Sequence, residues 1–356
     1  MTSRRIAESA SRPGALGTAL VALLAVAASL LSFATQATAS DAPIPVIDLS
    51  VDLAAPSPEG SPLLTAPRGQ ATALRLRQGH VVGIAVPLHD PRPGVAADPS
   101  VELLYRIVQR ELSRSNQLRL PSCSGRSDGI RTWFSLDSVS DPADEPTKIG
   151  LWILRGVRFF RIVDAHSNEL ATSWNEPVPV IGLSRRGASV VRHIYAAGGV
   201  VDVGSGSSLM RDDVFAIAHE YEAPVVALSA NARALADDAR NLTDSELRSI
   251  GRSGGVVALS LDESRLVRGR TATLHDVVRQ VEHLVRVAGV DHVAIASGYE
   301  SIAPPEGLTT AADFPSIARA LLGSGMAQDD VERIFNRNAL RVLCPDVSAR
   351  GKHENE

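Results

Sequence analysis

Short apolar, β-branched runs recur along the chain at 45–49, 80–86, 132–136, 158–163, 199–203, 224–228, 256–259 and 292–296. Most are apolar at every position rather than at alternate ones. That is the pattern of strands covered on both faces in a parallel sheet. Stretches with helical spacing lie between most of the runs, at 101–114, 186–197, 212–220, 244–252 and 274–288. Two more, 311–322 and 328–336, follow the last run. Thr243, with Glu246 three residues on, marks a capping-box helix start. Eight strand–helix alternations predict an α/β fold, a single (β/α)8 barrel of the TIM type. A doubly wound open sheet is the main rival. It needs a glycine fingerprint after the first strand, and Asp48-Leu49-Ser50-Val51-Asp52 is not one.

The chain begins differently. Arg4 and Arg5 precede an uncharged, mostly apolar stretch at 15–34, and Ala37-Thr38-Ala39 fits small-residue cleavage. Residues 1–39 therefore read as an export signal, with Ser40 as the new N-terminus. The rival reading is an uncleaved N-terminal anchor, since about twenty apolar residues can span a bilayer. The barrel would occupy 40–347, followed by a polar tail at 348–356. The expected location is exported, periplasmic or extracellular, or membrane-anchored if the signal stays. In such an oxidising compartment Cys123 and Cys344 could pair, but sequence alone does not place them within bonding distance.

Composition narrows the partners. A formal net charge of -4 and the lack of any basic run argue against nucleic acid, whose phosphates need a cationic face. Two cysteines cannot build a disulfide framework or a cysteine zinc site.

Chemistry in such barrels sits at the C-terminal strand ends. In order these carry Ser50 and Asp52; His89 and Asp90; Asp137; Asp164 and His166; Asp202, Ser205, Ser207 and Ser208; Ser229 and Asn231; Asp262 and Glu263; Ser297 and Glu300. The rim is acidic and hydroxyl-rich but poor in histidine. His89 and His166 read as surface or packing residues. The Gly/Ser loop at 204–208 reads as an ordinary strand-to-helix turn, since it lacks a P-loop lysine. Ser205 lacks the nucleophile-elbow pattern. Asp202 reads as part of a strand-end hydrogen-bond network, and Trp133, Trp152 and Trp174 as core or helix-packing residues.

Several of these segments together resemble the membrane (renal) dipeptidase family of zinc metallopeptidases, which has an amidohydrolase-type barrel. The resemblance runs from about residue 45 to 347. It is carried by Leu183 with Gly187, by 198–207, and by Pro224-Val225-Val226-Ala227 with Asn231-Ala232-Arg233-Ala234-Leu235. Further matches are Arg240-Asn241-Leu242 with Asp244, Gly254-Gly255-Val256, Ala288-Gly289-Val290-Asp291-His292-Val293, Gly307-Leu308, Phe314-Pro315, and Asn338 with Arg341-Val342.

The resemblance implies two zinc ions that clamp an attacking hydroxide and the scissile carbonyl, with a carboxylate moving the proton. Carried over residue by residue, most of that set is missing. The first strand's His-x-Asp is Ser50 and Asp52, and the bridging Glu falls on Asp137. The histidines ending the fifth and sixth strands are Ser205 and Ser229. The substrate-contacting His is Asp164 and the catalytic Asp is Gly298. The Arg that meets the substrate carboxylate is kept as Arg240; the alternative for it is a structural role, paired with a nearby carboxylate. A neutral serine is a poor zinc ligand. The expectation is a pseudoenzyme that keeps the barrel, has lost the binuclear zinc site, and binds a small peptide or amino-acid derivative through Arg240 and Asp164. The alternative is an active metallodipeptidase in which Asp52 and Asp137, helped by Asp164 or Glu300, hold a single divalent metal. A homodimer is what the resemblance implies for assembly.

Overall fold

The computed structural model describes residues 42–53, 68–88, 101–114, 117–123, 129–137 and 146–345. The segment 1–39, His89, Asp90 and the tail 348–356 lie outside the described residues.

Among these residues the strands are β1 (Val46–Asp48), β2 (Val81–Leu88), β3 (Leu118–Arg119), β4 (Ile130–Asp137), β5 (Val157–Arg161), β6 (Val200–Asp202), β7 (Val225–Ala227), β8 (Val256–Leu259) and β9 (Val293–Ile295). All pair in parallel. β1 joins β2 to β9, and β2 pairs with β4, so eight strands close into a barrel. The expected (β/α)8 barrel is what the chain forms. β3 is an extra flank on the start of β4; two residues are too few to show a period in the sequence.

The helices are α1 (Ala73–Gln78), α2 (Val101–Arg114), α3 (Pro146–Leu154), α4 (Arg185–Ala196), α5 (Ser208–Glu220), α6 (Asp244–Arg252), α7 (Glu263–Leu266), α8 (Leu274–Ala288), α9 (Phe314–Gly323), α10 (Gln328–Glu332) and α11 (Asn338–Leu343). Local chemistry sets their starts. Ser184 and Ser207 accept the Gly187 and Met210 amides at 3.0 and 3.2 Å, and Thr243 with Glu246 forms the expected capping box. The Ser207 cap starts α5 a turn earlier than the apolar spacing alone indicates, and it explains the Gly/Ser loop as a turn.

Side chains alternate between two cores. Ile47, Ala85, Trp133, Phe159, Val200, Val226, Val256 and Ala294 form one buried cluster with Ala339, Val342 and Leu343 of α11. Their neighbours Val46, Ile84, Phe134, Phe160, Val201, Val225, Val257 and Ile295 belong to another cluster with helix residues such as Val190, Val214, Leu247 and Val281. The first cluster is the barrel interior and the second is the layer between sheet and helices.

The helix α11 closes the floor, the end where strands begin. Asn338 Nδ2 donates to the Val290 and Val293 carbonyls at 2.7 and 2.9 Å, and Arg158 Nε donates to the Val342 carbonyl at 2.8 Å. The chain answers the open cysteine question: Cys123 and Cys344 are disulfide-bonded, with Cα atoms 5.4 Å apart.

Candidate functional site at the barrel mouth

Three adjacent strands end in one register row. Asp137 of β4 pairs with Arg161 of β5, and Arg161 pairs with Asp202 of β6. The Arg161 guanidinium lies between the two carboxylates. Its Nη1 is 2.5 Å from Asp137 Oδ2, and its Nε and Nη2 are 2.9 and 2.8 Å from Asp202 Oδ2. Asp164 Oδ1 is 3.7 Å from Nη1. The Asp137 and Asp202 side chains are 1% and 0% exposed, and that of Arg161 is 12% exposed, so the row is shielded from water. Burial opposes the guanidinium's charge, but Asp137, Asp202 and Asp164 outweigh it and hold Arg161 above the ordinary arginine range. Burial pushes the Asp202 carboxyl up, against Arg161 and the Leu228 and Gly204 amides, which donate to Oδ1 at 2.9 Å each. Asp202 thus does belong to a strand-end network, and it also holds Arg161.

A second pair seals the seam between the first and last strands. Asp48 Oδ1 accepts the Ser297 and Ser50 amides at 2.8 and 3.2 Å, and its Oδ2 accepts the Ser297 hydroxyl at 2.5 Å. Asp48 is fully buried, and burial pushes its carboxyl up to about 7 despite these bonds.

The rim carries two more guanidinium groups. Arg240 Nε and Nη2 bond the two oxygens of Asp238, both at 2.8 Å; Nη2 also donates to Ser264 Oγ, and Nη1 is 3.4 Å from Asp262. Arg240 also lies over the Trp174 ring, 5.5 Å from its centre. Burial pushes the Asp238 carboxyl up, but Arg240 holds it down at about 2. Arg265 donates to the Ser229 carbonyl. Burial first, then the Arg240 charge, pulls Arg265 down to about 10, and Arg161 adds to the repulsion. The three arginines therefore share one electrostatic neighbourhood.

The positions expected to matter fall as follows. The Ser50 carbonyl accepts the Gly298 amide at 2.9 Å. Asp52 is buried beside the seam, its amide donating to the Tyr299 carbonyl at 3.0 Å. Ser205 Oγ donates to Asp164 Oδ1 at 3.4 Å. Ser229 holds a left-handed φ of 57°, and Gly298 one of 80°. A Cβ on Gly298 would also lie 2.9 Å from Ile302 Cγ2, so the position is shaped for a residue without a side chain. The Glu300 carboxylate accepts the Ala71 amide at 2.7 Å, tying down the loop before α1. His166 is exposed, Trp133 is buried, and Trp152 packs on Tyr105 at 5.5 Å. Trp174, expected in a core or helix contact, instead supports Arg240 at the rim.

Sequence reasoning passed over Arg161, Arg265 and Asp48. The signal for Arg161 was present: a charge within the run Arg158-Phe159-Phe160-Arg161-Ile162-Val163, covered on both faces, needs an opposite charge nearby.

These residues do not fit the zinc site that the resemblance implies. Asp137 and Asp202 are bonded to a resident guanidinium, and Ser205 is bonded to Asp164. Among the described residues no group of three or more His, Cys, Asp or Glu side chains is arranged to hold a metal.

Comparison with known proteins places the chain in a family. The membrane dipeptidase (peptidase family M19) model matches residues 35–355. An uncharacterized protein in the pqqA 5′ region of Klebsiella pneumoniae is 35% identical over 167 residues, 46% of this chain and 60% of that protein. The dipeptidase verJ of Clonostachys rogersoniana is 25% identical over 305 residues, 79% of this chain and 78% of that one. The probable dipeptidase PvdM of Pseudomonas aeruginosa shares the fold with a TM-score of 0.75 at 20% identity, covering 84% of this chain and 94% of its own. A metallopeptidase of Rhodobacter sphaeroides, solved with a phosphinate mimic of the dipeptide L-Ala-D-Ala, has a TM-score of 0.74 at 21% identity, covering 85% and 99%.

Proposed function

The chain belongs to the membrane dipeptidase family, and from that premise we propose that it is a non-catalytic, exported member that binds a small peptide or amino-acid derivative at the barrel mouth. The observation that carries this reading is the state of the strand ends. Ser50, Ser205 and Ser229 stand where the resemblance calls for imidazoles, and Gly298 stands where it calls for the proton-moving carboxylate. A hydroxyl in place of an imidazole gives up a strong metal ligand, and Gly298 has no group to accept a proton.

Binding rests on Arg240. Asp238 fixes its guanidinium from one side and Trp174 supports its face, so a ligand carboxylate would meet a cation that has already lost its side-chain freedom. Asp164, which accepts the Ser205 hydroxyl and keeps 46% of its side chain exposed, is the rim carboxylate assigned to a ligand amine. Export is supported by the family and by the Cys123–Cys344 bond, which persists in an oxidising compartment. No helix among the described residues is long and apolar enough to cross a membrane.

The test is dipeptide hydrolysis together with metal content on the chain from Ser40, with zinc, manganese and magnesium each supplied. The expected result is no turnover, no stoichiometric metal, and a melting temperature raised by dipeptides in the wild type but not in Arg240→Ala. Metal-dependent turnover abolished by Asp52→Ala would mean that the residual carboxylates still form a working site.

A further inference from the structure

We propose that Arg161 is the barrel's resident cation: its guanidinium bridges the buried Asp137–Asp202 pair and offsets one of its two negative charges, makes the mouth independent of metal, and keeps divalent ions out. This rests on the proposed loss of the metal site but goes beyond it, because losing ligands explains weak metal binding and not how the remaining carboxylates stay buried. Two carboxylates in one register row, 1% and 0% exposed, repel each other and have lost most of their water. Three answers exist in general: a proton, a bound cation or a fixed cation. Here the fixed cation is encoded in the same row, between the two aspartates, and three of its nitrogens reach them at 2.5, 2.8 and 2.9 Å. A guanidinium is the suitable group because its planar fork reaches several oxygens at once and it cannot lose its proton.

Exclusion follows from the same geometry. A divalent ion would bind the Asp137 and Asp202 oxygens that Arg161 already occupies, and it would meet the charge of Arg161 with Arg265 nearby. With Arg161 gone, the pair must recruit protons or an ion. Mn2+ or Mg2+ are the ions to expect, since oxygen donors and water suit them.

The experiment is thermal unfolding at pH 7.5 in EDTA and in 1 mM MnCl2, with manganese content measured after desalting. The wild type is expected to melt at the same temperature in both and to retain no manganese. Arg161→Met is expected to melt about 5 °C or more lower in EDTA, as when one partner of a buried ion pair is lost. Manganese, or a second substitution Asp137→Asn, should recover most of that loss. Should Arg161→Met not fold, the double variant Arg161→Met/Asp137→Asn still tests the charge argument, because it removes one charge of each sign. A wild type that is stabilised by manganese or holds it would overturn the proposal. So would an Arg161→Met chain indifferent to both manganese and Asp137→Asn. A wild type that binds manganese but hydrolyses nothing would sink this inference alone. Hydrolysis that persists in EDTA would sink the proposed function and leave this inference standing.

Discussion

At the residue scale the site is governed by where charges are buried. Asp48 is the sharpest case. Its ordinary carboxyl value is 3.8, and burial raises it to about 7 in the folded chain. The folded state therefore binds a proton more tightly than the unfolded one. Asp48 supports stability most below about pH 4, and that support is lost as the pH rises through about 7. The two values differ enough for a change of about 4 kcal/mol across that interval. Asp48→Asn keeps an acceptor for the Ser50 and Ser297 amides and removes the titration. Denaturant unfolding from pH 4 to pH 8 should show a wild-type stability that falls more steeply than that of Asp48→Asn; parallel curves would contradict the assignment. Gly298 carries the second residue-level expectation. Gly298→Asp would place a carboxylate there, but at a φ of 80° and against Ile302. It should lower stability by about 1–2 kcal/mol and confer no hydrolysis. The residue types at 50, 205, 229 and 298 were legible in the sequence, and the proposed loss of metal chemistry rests on them. The Asp137–Arg161–Asp202 row was not, because it depends on the register of three strands distant in sequence.

At the element scale, legibility follows the length of the pattern. Strands that are apolar on both faces stand out as runs, and the capping residues of α6 were readable at Thr243 and Glu246. The single helix expected at 311–322 is a tight turn, Ala311–Asp313, followed by α9. The expected helix at 328–336 is α10 with a wider turn leading into α11. The backbone stays right-handed helical through both junctions, so what local spacing does not record is the change of helical pitch. The floor depends on few groups, so it can be tested. Cys344→Ser removes a link between residues 221 apart in sequence and should cost about 2–5 kcal/mol in denaturant unfolding. A loss below about 0.5 kcal/mol would mean the hydrogen bonds of Asn338 and Arg158 hold α11 without the disulfide. Thr243→Ala, which strips one cap from α6, should cost about 1 kcal/mol by the same measurement.

For the whole molecule, the two ends of the barrel carry different burdens. The floor is apolar, closed by Ala339, Val342 and Leu343 and fastened by the disulfide. The mouth is polar, and Arg161 bridges its buried carboxylates Asp137 and Asp202. This separation lets a family barrel change its chemistry while keeping its fold: replacing residues at strand ends leaves the interior cluster and the closing helix untouched. It also makes a quantitative demand. Among the described residues Arg161 and Cys344 share no hydrogen-bond partner, and they sit at opposite ends of the strands. Substitutions without shared partners add. The double variant Arg161→Met/Cys344→Ser should therefore lose the sum of the two single losses to within about 0.5 kcal/mol in denaturant unfolding at pH 7.5. A coupling above about 1 kcal/mol would mean that the floor helps set the register of the charged row. The mouth could then not be treated as a site grafted on an independent scaffold, and reducing the disulfide would alter ligand binding at Arg240. Additivity, with any dipeptide-induced stabilisation unchanged in Cys344→Ser, would show that the scaffold and the mouth are separable.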